Sequence, residues 1–220
     1  MRSLAQTALI GAALALSGCM SGANYGEVVE QQFRTHERLA AGADDVWDEM
    51  VNLPNSGSAS YSGAGGLSYV DPAGKLHNLS ADTHLAATFT ATGGTLTGAA
   101  NNFYGREVMQ DELDHASNGT LPAAEAAEFY GGYRPVQGQI TMNADFSGID
   151  VNAQDFNTAL DGELTYDGHM LKVGGVASGS NFIGGEHQYI IIDGSNVRGM
   201  TVSEDGAAVT GSFSSYLQKD

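Results

Sequence analysis

Asp193-Gly-Ser-Asn-Val-Arg-Gly-Met-Thr-Val-Ser-Glu-Asp-Gly-Ala-Ala-Val-Thr-Gly-Ser-Phe213 places two β-branched runs on either side of a polar turn at Glu204-Asp205-Gly206. An Asp-Gly pair between such runs predicts a tight hairpin. Each run carries an apolar residue, any residue, then glycine: Val197-Arg198-Gly199 and Val209-Thr210-Gly211. Residues two apart share one face of a strand. The unit therefore sets a bulky side chain beside a gap, which suits the tapering inner face of a small closed barrel.

The unit recurs at Tyr61-Ser62-Gly63, Leu96-Thr97-Gly98, Val136-Gln137-Gly138, Phe146-Ser147-Gly148, Leu160-Asp161-Gly162 and Phe182-Ile183-Gly184. Some of these arise by chance in a chain with 30 glycines. The remainder argue for one structural solution used repeatedly. Only 4 prolines accompany the glycines, which points to β-structure with many turns and away from a flexible linker.

At 220 residues the chain is long enough for one domain with an N-terminal extension. A formal charge of -17 repels nucleic acid and anionic membrane surfaces and favours basic partners or cations. Met1-Arg2 followed by the apolar run Leu9–Leu16 reads as an export signal. The run is too short to span a bilayer. It ends in Leu16-Ser17-Gly18-Cys19, which resembles a bacterial lipobox, whose cysteine is acylated and becomes the first residue of the mature protein. Acylation of Cys19, the single cysteine, leaves no thiol for a disulfide and anchors the chain stably to a bilayer. Met20 stands where an Asp tends to retain such proteins at the inner membrane, so an outer-membrane destination is expected.

Residues 20–26 read as a tether. Residues 27–50 read as helix, with Val29, Phe33, His36, Ala40, Ala43, Trp47 and Met50 in one stripe that docks on the barrel. Gly42 and Asp44-Asp45 are possible breaks in it. Leu53-Pro54-Asn55-Ser56-Gly57 marks the boundary to the strands. Expected strands are 58–70, 78–90, 95–103, 137–146, 158–166, 170–177, 182–192, 196–202 and 207–217, about eight or nine, near the size of a closed small barrel. Turns are expected at Asp71-Pro72-Ala73-Gly74, Gly93-Gly94, Asp167-Gly168 and Asp193-Gly194. Residues 104–134 interrupt the strands as a functional excursion or a plug over a barrel end. Thr120 and Pro122 open a short helix there that ends near Gly131. Asp111, Asp114 and Asn118-Gly119 lack the spacing of a calcium loop and read as a solvated loop.

Pro54-Asn-Ser-Gly-Ser-Ala-Ser-Tyr-Ser-Gly63, Phe89 with Leu96-Thr97-Gly98, Leu160-Asp-Gly162, Gly179-Ser-Asn-Phe-Ile-Gly184 and Gly211-Ser-Phe213 follow one another in an order that resembles the transferrin-binding-protein-B-like β-barrel lipoproteins. The resemblance covers roughly residues 53–217. It implies an eight-stranded antiparallel barrel on an outer-membrane lipoprotein, often displayed at the cell surface. Members bind host iron or haem carriers, haem itself, or complement regulators. Two departures stand out. Gly184 is followed by Gly185-Glu186-His187-Gln188, where many members have Pro and a small residue. The chain also holds one barrel where a transferrin receptor has two lobes.

No nucleophile elbow, H-E-x-x-H or P-loop is present. The 6 histidines are scattered, and His77 and His84, seven apart, fall on opposite faces of one strand. Haem ligation needs a His, Tyr or Met at a pocket rim. The excursion offers Tyr104, Met109, His115, Tyr130 and Tyr133, with His187 and Tyr189 later; Tyr104, His115, Tyr130 and Tyr133 are the candidate ligand-binding residues. Aromatics at 8% and a polar outer face argue against a transmembrane barrel.

The chain is thus expected to be all-β: an antiparallel eight-stranded soluble β-barrel with an N-terminal signal and lipid tether and short helices. Its parts are a signal peptide over 1–18, a lipid anchor and helical tether over 19–52, and the barrel domain over 53–220. The expected function is that of a surface-exposed outer-membrane lipoprotein that binds a host protein or an iron or haem source without catalysis. The alternative is a structural or assembly lipoprotein facing the periplasm. No metal is expected, haem is the one cofactor left open, and a monomer anchored through acylated Cys19 is expected.

Overall fold

The computed structural model describes residues 25–44, 56–145, 155–184 and 187–220, without the side chains of 181–187. The signal segment, Cys19, Trp47, Met50 and Phe146-Ser147-Gly148 lie outside the described residues. The elements are α1 (Tyr25–Asp44), β1 (Gly57–Val70), β2 (Leu76–Thr90), β3 (Gly93–Glu107), α2 (Gln110–Ser117), α3 (Ala123–Gly131), β4 (Arg134–Pro135), β5 (Gln137–Asp145), β6 (Asp155–Tyr166), β7 (His169–Gly184), β8 (His187–Ser195), a 3-10 turn (Asn196–Arg198), β9 (Met200–Glu204) and β10 (Ala207–Lys219). The strands form a closed eight-strand antiparallel barrel. Neighbours follow chain order, and β1 closes the ring against β10, with Tyr61 opposite Lys219 and Val70 opposite Thr210. Strands β8 and β9 share one position in the wall, since both pair with β7 on one side and β10 on the other.

Alternation decides which side chains fill the barrel. Leu79, Ala81, Leu85, Ala87 and Phe89 of β2 point inward with Tyr61, Leu67 and Tyr69 of β1 and Phe213 and Leu217 of β10, all buried. Each large apolar side chain removed from water contributes about 1.5–3 kcal/mol. The bulky-residue-and-gap reading holds at Gly211, where a methyl group would stand 2.8 Å from Val202 Cγ2 and 3.4 Å from Tyr69 Cβ. It holds also at Gly105, against which the Tyr166 ring is laid.

Three hairpin expectations are corrected. Val197-Arg198-Gly199 is not strand: residues 196–198 form the 3-10 turn and Val197 is 94% exposed. The Asn196 side chain holds this bulge in place, accepting from Gly211 N–H and donating to the Met200 carbonyl. Asp193-Gly194 is not a turn but the interior of β8, where a Cβ on Gly194 would stand 2.9 Å from Ala177 Cβ. The expected strand 182–192 is two strands, with β7 running to Gly184 and β8 starting at His187. At Gly93-Gly94 the turn sits one step earlier, at Ala91-Thr92. The Asp71, Asp167 and Asp205 turns form as read, with Asp71 Oδ1 accepting from the Ala73 and Lys75 amides at 2.8 Å each.

The excursion is also corrected. Residues 110–117 are helix α2, not a solvated loop, because Glu112 folds back to the Met109 amide (3.1 Å) and opens the first turn. Pro122, not Thr120, caps α3; the Thr120 hydroxyl is engaged by His115 Nδ1 at 2.9 Å. The segment does not plug a barrel end. With α1 it lies on the outer wall, where Val29 and Phe33 pack with Val108, Ala116, Phe129, Tyr130 and Tyr133.

Helix α1 docks as expected over its described residues, Tyr25–Asp44, and residues 45–50 of the expected helix lie outside the described residues. Val29, Phe33 and Ala43 of the stripe are buried, joined by Gln32 and Leu39. Gly42 does not break it. The ring of Tyr189 lies so close that a methyl group at Gly42 would meet its hydroxyl at 2.7 Å. A bulge in β3 keys the helix to the wall. Ala81 faces both Asn102 and Phe103, and Asn102 takes a left-handed φ of 52°. Asp82 accepts from Asn102 Nδ2 (2.7 Å) and from Gln32 Nε2 (3.2 Å), and Gln32 Nε2 also reaches the Asn102 carbonyl at 3.2 Å.

Candidate functional site

The barrel interior is filled with side chains, so recesses on the surface are what a ligand can reach. Those with polar groups include the mouth of the barrel, a cleft under α1, and a shallower hollow of about 390 Å3 around Ser60, Ser62, His84 and Asp220.

The mouth, about 540 Å3, lies at the end where β1 turns into β2, β6 into β7 and β9 into β10. The alternation that packs the core carries Tyr69, His77, Tyr166 and Glu204 inward at this end. Glu204, 8% exposed, accepts from the Tyr69 hydroxyl at 3.2 Å. His77 stacks on Tyr69 at 4.9 Å and meets Tyr166 edge-on at 5.7 Å. Its Nε2 donates to Asp71 Oδ2 at 3.1 Å, while Nδ1 is buried without a partner. On the rim, His169 Nδ1 pairs with Asp205 Oδ2 at 2.7 Å and Lys75 with Glu107 at 2.8 Å. His169 is held above the usual histidine range by its hydrogen bond to Asp205. Asp205 is held low, first by the Met170 amide and then by His169. Burial, then Glu204, pushes the Tyr69 phenol far above its ordinary value.

Chemically this arrangement gathers charge at the barrel mouth. A tyrosine base needs a lowered pKa, and Tyr69 has the reverse. Neither nitrogen of His77 is presented to the cavity, one being engaged by Asp71 and the other buried. Five carboxylates line the mouth, from Asp71, Glu107, Asp167, Glu204 and Asp205, against the single ammonium of Lys75. Among the described residues no group of three or more His, Cys, Asp or Glu is placed to hold a metal ion.

The second recess, about 220 Å3, lies between α1, α2 and the outer wall of β1, β2 and β10. Helix α1 is fastened at two places. Val29 and Phe33 join the α2–α3 layer, and Leu39 and Ala43 pack on Tyr189, Ile191 and Tyr216. Between them His36 spans a low wall of glycine and serine. Its ring meets Tyr216 edge-on at 4.8 Å. Burial lowers its pKa to about 4.

Comparison with protein-family models, curated proteins and solved structures finds no match.

The four residues singled out from the sequence line none of these recesses. Tyr133 is fully buried beneath the helices and donates to Asn78 Oδ1 at 2.8 Å. Tyr130 packs beside it against Phe33 at 5.5 Å. Tyr104 sits on the outer wall against Tyr25 at 5.6 Å, and His115 is exposed on α2. Tyr130 and Tyr133 are thus brought together in the helical core, while Tyr104 and His115 stand apart. His77 and His84 do lie on opposite faces: His77 enters the mouth, and His84 bonds Ser62 on the outside at 3.2 Å. The mouth residues were missed because each reads locally as turn or strand end. The available signal was the in-phase carry of Tyr69, His77, Tyr166 and Glu204 onto the core face.

Proposed function

We propose that this chain is a lipid-anchored, non-catalytic binding protein of the bacterial outer membrane that works in water at the cell surface. The observation that carries the reading is the polarity of the barrel's two faces. The inside is Leu, Ile, Met, Phe and Tyr, and the outside of β5, β6 and β7 exposes Gln139, Asn143, Asp145, Asn157, Asp161, Glu163 and Lys172. A barrel inserted in lipid requires the opposite, an apolar outer band about 25 Å tall. A chain with an export signal and a lipobox at Cys19 is then attached to the bilayer by its acyl chains, with the barrel outside it.

Among the described residues the interior is filled by packed side chains, so binding uses the mouth and the outer surface. The acidic mouth disfavours haem, whose propionates bring two further negative charges, and favours a basic protein surface. The resemblance to transferrin-binding-protein-B-like lipoproteins supports the same class of function. The test is expression in a Gram-negative host with labelled palmitate, followed by protease treatment of intact cells. Label on the wild type, no label on Cys19→Ala, and loss of the protein from intact cells are expected. Label on Cys19→Ala would sink the anchor. Protection until the outer membrane is opened would replace the surface role with a periplasm-facing structural one.

A further inference from the structure

We propose that the cleft between α1, α2 and the barrel wall binds a neutral, hydroxyl-rich ligand about the size of one sugar ring. The inference is independent of where the protein is anchored. The cleft is charge-free in a chain of net charge -17: its lining contains no Asp, Glu, Lys or Arg. His36, the one titratable base in it, is neutral at physiological pH. An ionic ligand would enter without a counter-charge, which is costly.

The two walls differ in kind. The barrel side presents the hydroxyls of Ser68, Ser80, Ser212 and Ser214 beside Asn78, and the helix side presents the apolar Phe33 and Leu113 together with His36 and Ser117, with the Tyr216 ring at the edge. A pyranose ring has the matching asymmetry, with hydroxyls around its rim and C–H groups on its face. Serine hydroxyls both donate and accept, so they serve sugar hydroxyls in either sense. Ser80 is decisive. It is 5% exposed and lines the cleft, and among the described residues its hydroxyl has no protein hydrogen-bond partner. The hydroxyls of Ser212 and Ser214 likewise have none, whereas Ser68 accepts from Asn78 Nδ2 at 3.1 Å. These hydroxyls are open to the cleft, where water or a ligand supplies the partner that the protein does not. The cleft therefore holds water or a ligand that replaces it. Its volume is below the roughly 300–1,000 Å3 of sites for drug-sized ligands, which limits the occupant to a single ring.

The experiment is a nuclear magnetic resonance titration of the full isotope-labelled chain in a sugar-free detergent. The probes are glucose, galactose and N-acetylglucosamine, with glucuronate and glucosamine as charged counterparts. At least one neutral sugar should give saturable shifts at the amides of Gly65, Gly66, Ser80 and Ser214 and none at Gly206. Its charged counterparts should bind at least tenfold more weakly. Ser80→Ala and Ser214→Ala should each weaken binding about tenfold, a loss of about 1.4 kcal/mol. Ser214→Thr, which keeps the hydroxyl and narrows the cleft, should also weaken it. Saturation at other residues, equal binding of charged sugars, binding unaffected by folded serine variants, or no saturable shift from any neutral probe would each overturn the proposal and leave a water-filled cleft.

Discussion

Acid should loosen this protein through His36, and the size of the effect follows from its setting. In the unfolded chain an imidazole takes its proton near pH 6.5. In the folded chain burial lowers that pKa to about 4, with no charged neighbour contributing. Tyr216 faces the ring, and no Asp, Glu, Lys or Arg lines the cleft around it. Between these two values the unfolded chain binds a proton that the folded chain refuses, so stability falls as pH falls. Each unit is worth about 1.4 kcal/mol, so the loss from pH 7 to pH 5 is about 2 kcal/mol, rising to about 3 near pH 4. His169 acts with the opposite sign. Its folded pKa is raised by Asp205, so the stability it contributes is fully present below 6.5 and is lost as pH rises through the folded value. Comparison with His36→Gln cancels that contribution and those of the surface carboxylates. Urea unfolding at pH 7 and pH 5 should show the variant losing about 2 kcal/mol less than the wild type. The His36 ring resonance should titrate near 4. Equal losses in the two proteins, or a ring that titrates near 6.5, would refute the reasoning.

Phe33→Ala should cost about 3–5 kcal/mol by emptying the space among Phe129, Tyr130 and Tyr133. Hydrogen exchange should accelerate over Tyr25–Asp44 while the barrel amides stay protected. Tyr69→Phe removes the donor to nearly buried Glu204 and should cost about 2 kcal/mol in chemical denaturation, whereas Glu204→Gln keeps an acceptor and should cost less. Gly211→Ala should destabilise by about 1–3 kcal/mol, since its methyl group meets Val202 at 2.8 Å. Gly131→Ala, at the end of α3 with open space around it, should instead raise the melting temperature slightly, the gain being at most about 1 kcal/mol.

What could be read from the chain was periodic, and what could not was set by packing between distant segments. The run Leu79–Phe89 and the Asp-Gly pairs at 167 and 205 express strand and turn preferences that no later contact overrides. Asp193-Gly194 has the same turn chemistry, yet Gly194 is there because Ala177 and Met200 leave no room for a side chain. A glycine required by a neighbour is indistinguishable in sequence from one required by a turn. The Asn102 bulge moves the inward residues of β3 from Leu96, Gly98 and Ala100 to Phe103 and Gly105, and the strand runs on to Glu107, past the expected end at 103, where the sequence turns to the charged excursion. The polar recesses were hidden for a related reason. Ser68, Ser80, Ser212 and Ser214 occupy outward positions, where serine reads as ordinary solvent-facing strand, and the docking of α1 and α2 buries Ser80 and half-buries Ser68 and Ser214. Tyr104, His115, Tyr130 and Tyr133 were drawn together by nearness in sequence, but helix formation at 110–117 and 123–131 sends their side chains to different surroundings.

The serine wall is hard to explain as packing alone. Docking α1 onto β1 and β10 requires an apolar strip, and the chain provides one at each end of the contact, with Phe33 on one side and Leu39 with Tyr189 and Ile191 on the other. Alanine or valine at 80 and 214 would continue that strip and bury more apolar surface. Instead the middle of the contact is small and polar, and the one ionisable side chain above it is desolvated. Local choices in a folded chain generally agree with one another, and departures from that agreement concentrate where a site is built. By this reasoning filling the cleft is a stability experiment as well as a binding one. Ser80→Val should abolish the titration response in a folded protein if the wall exists to meet a ligand, and should raise stability by about 1 kcal/mol with the response unchanged if the wall exists only to carry the helix. Loss of the response with stability unchanged or raised supports the site; a stabilised variant that still saturates with sugar as before places the ligand elsewhere.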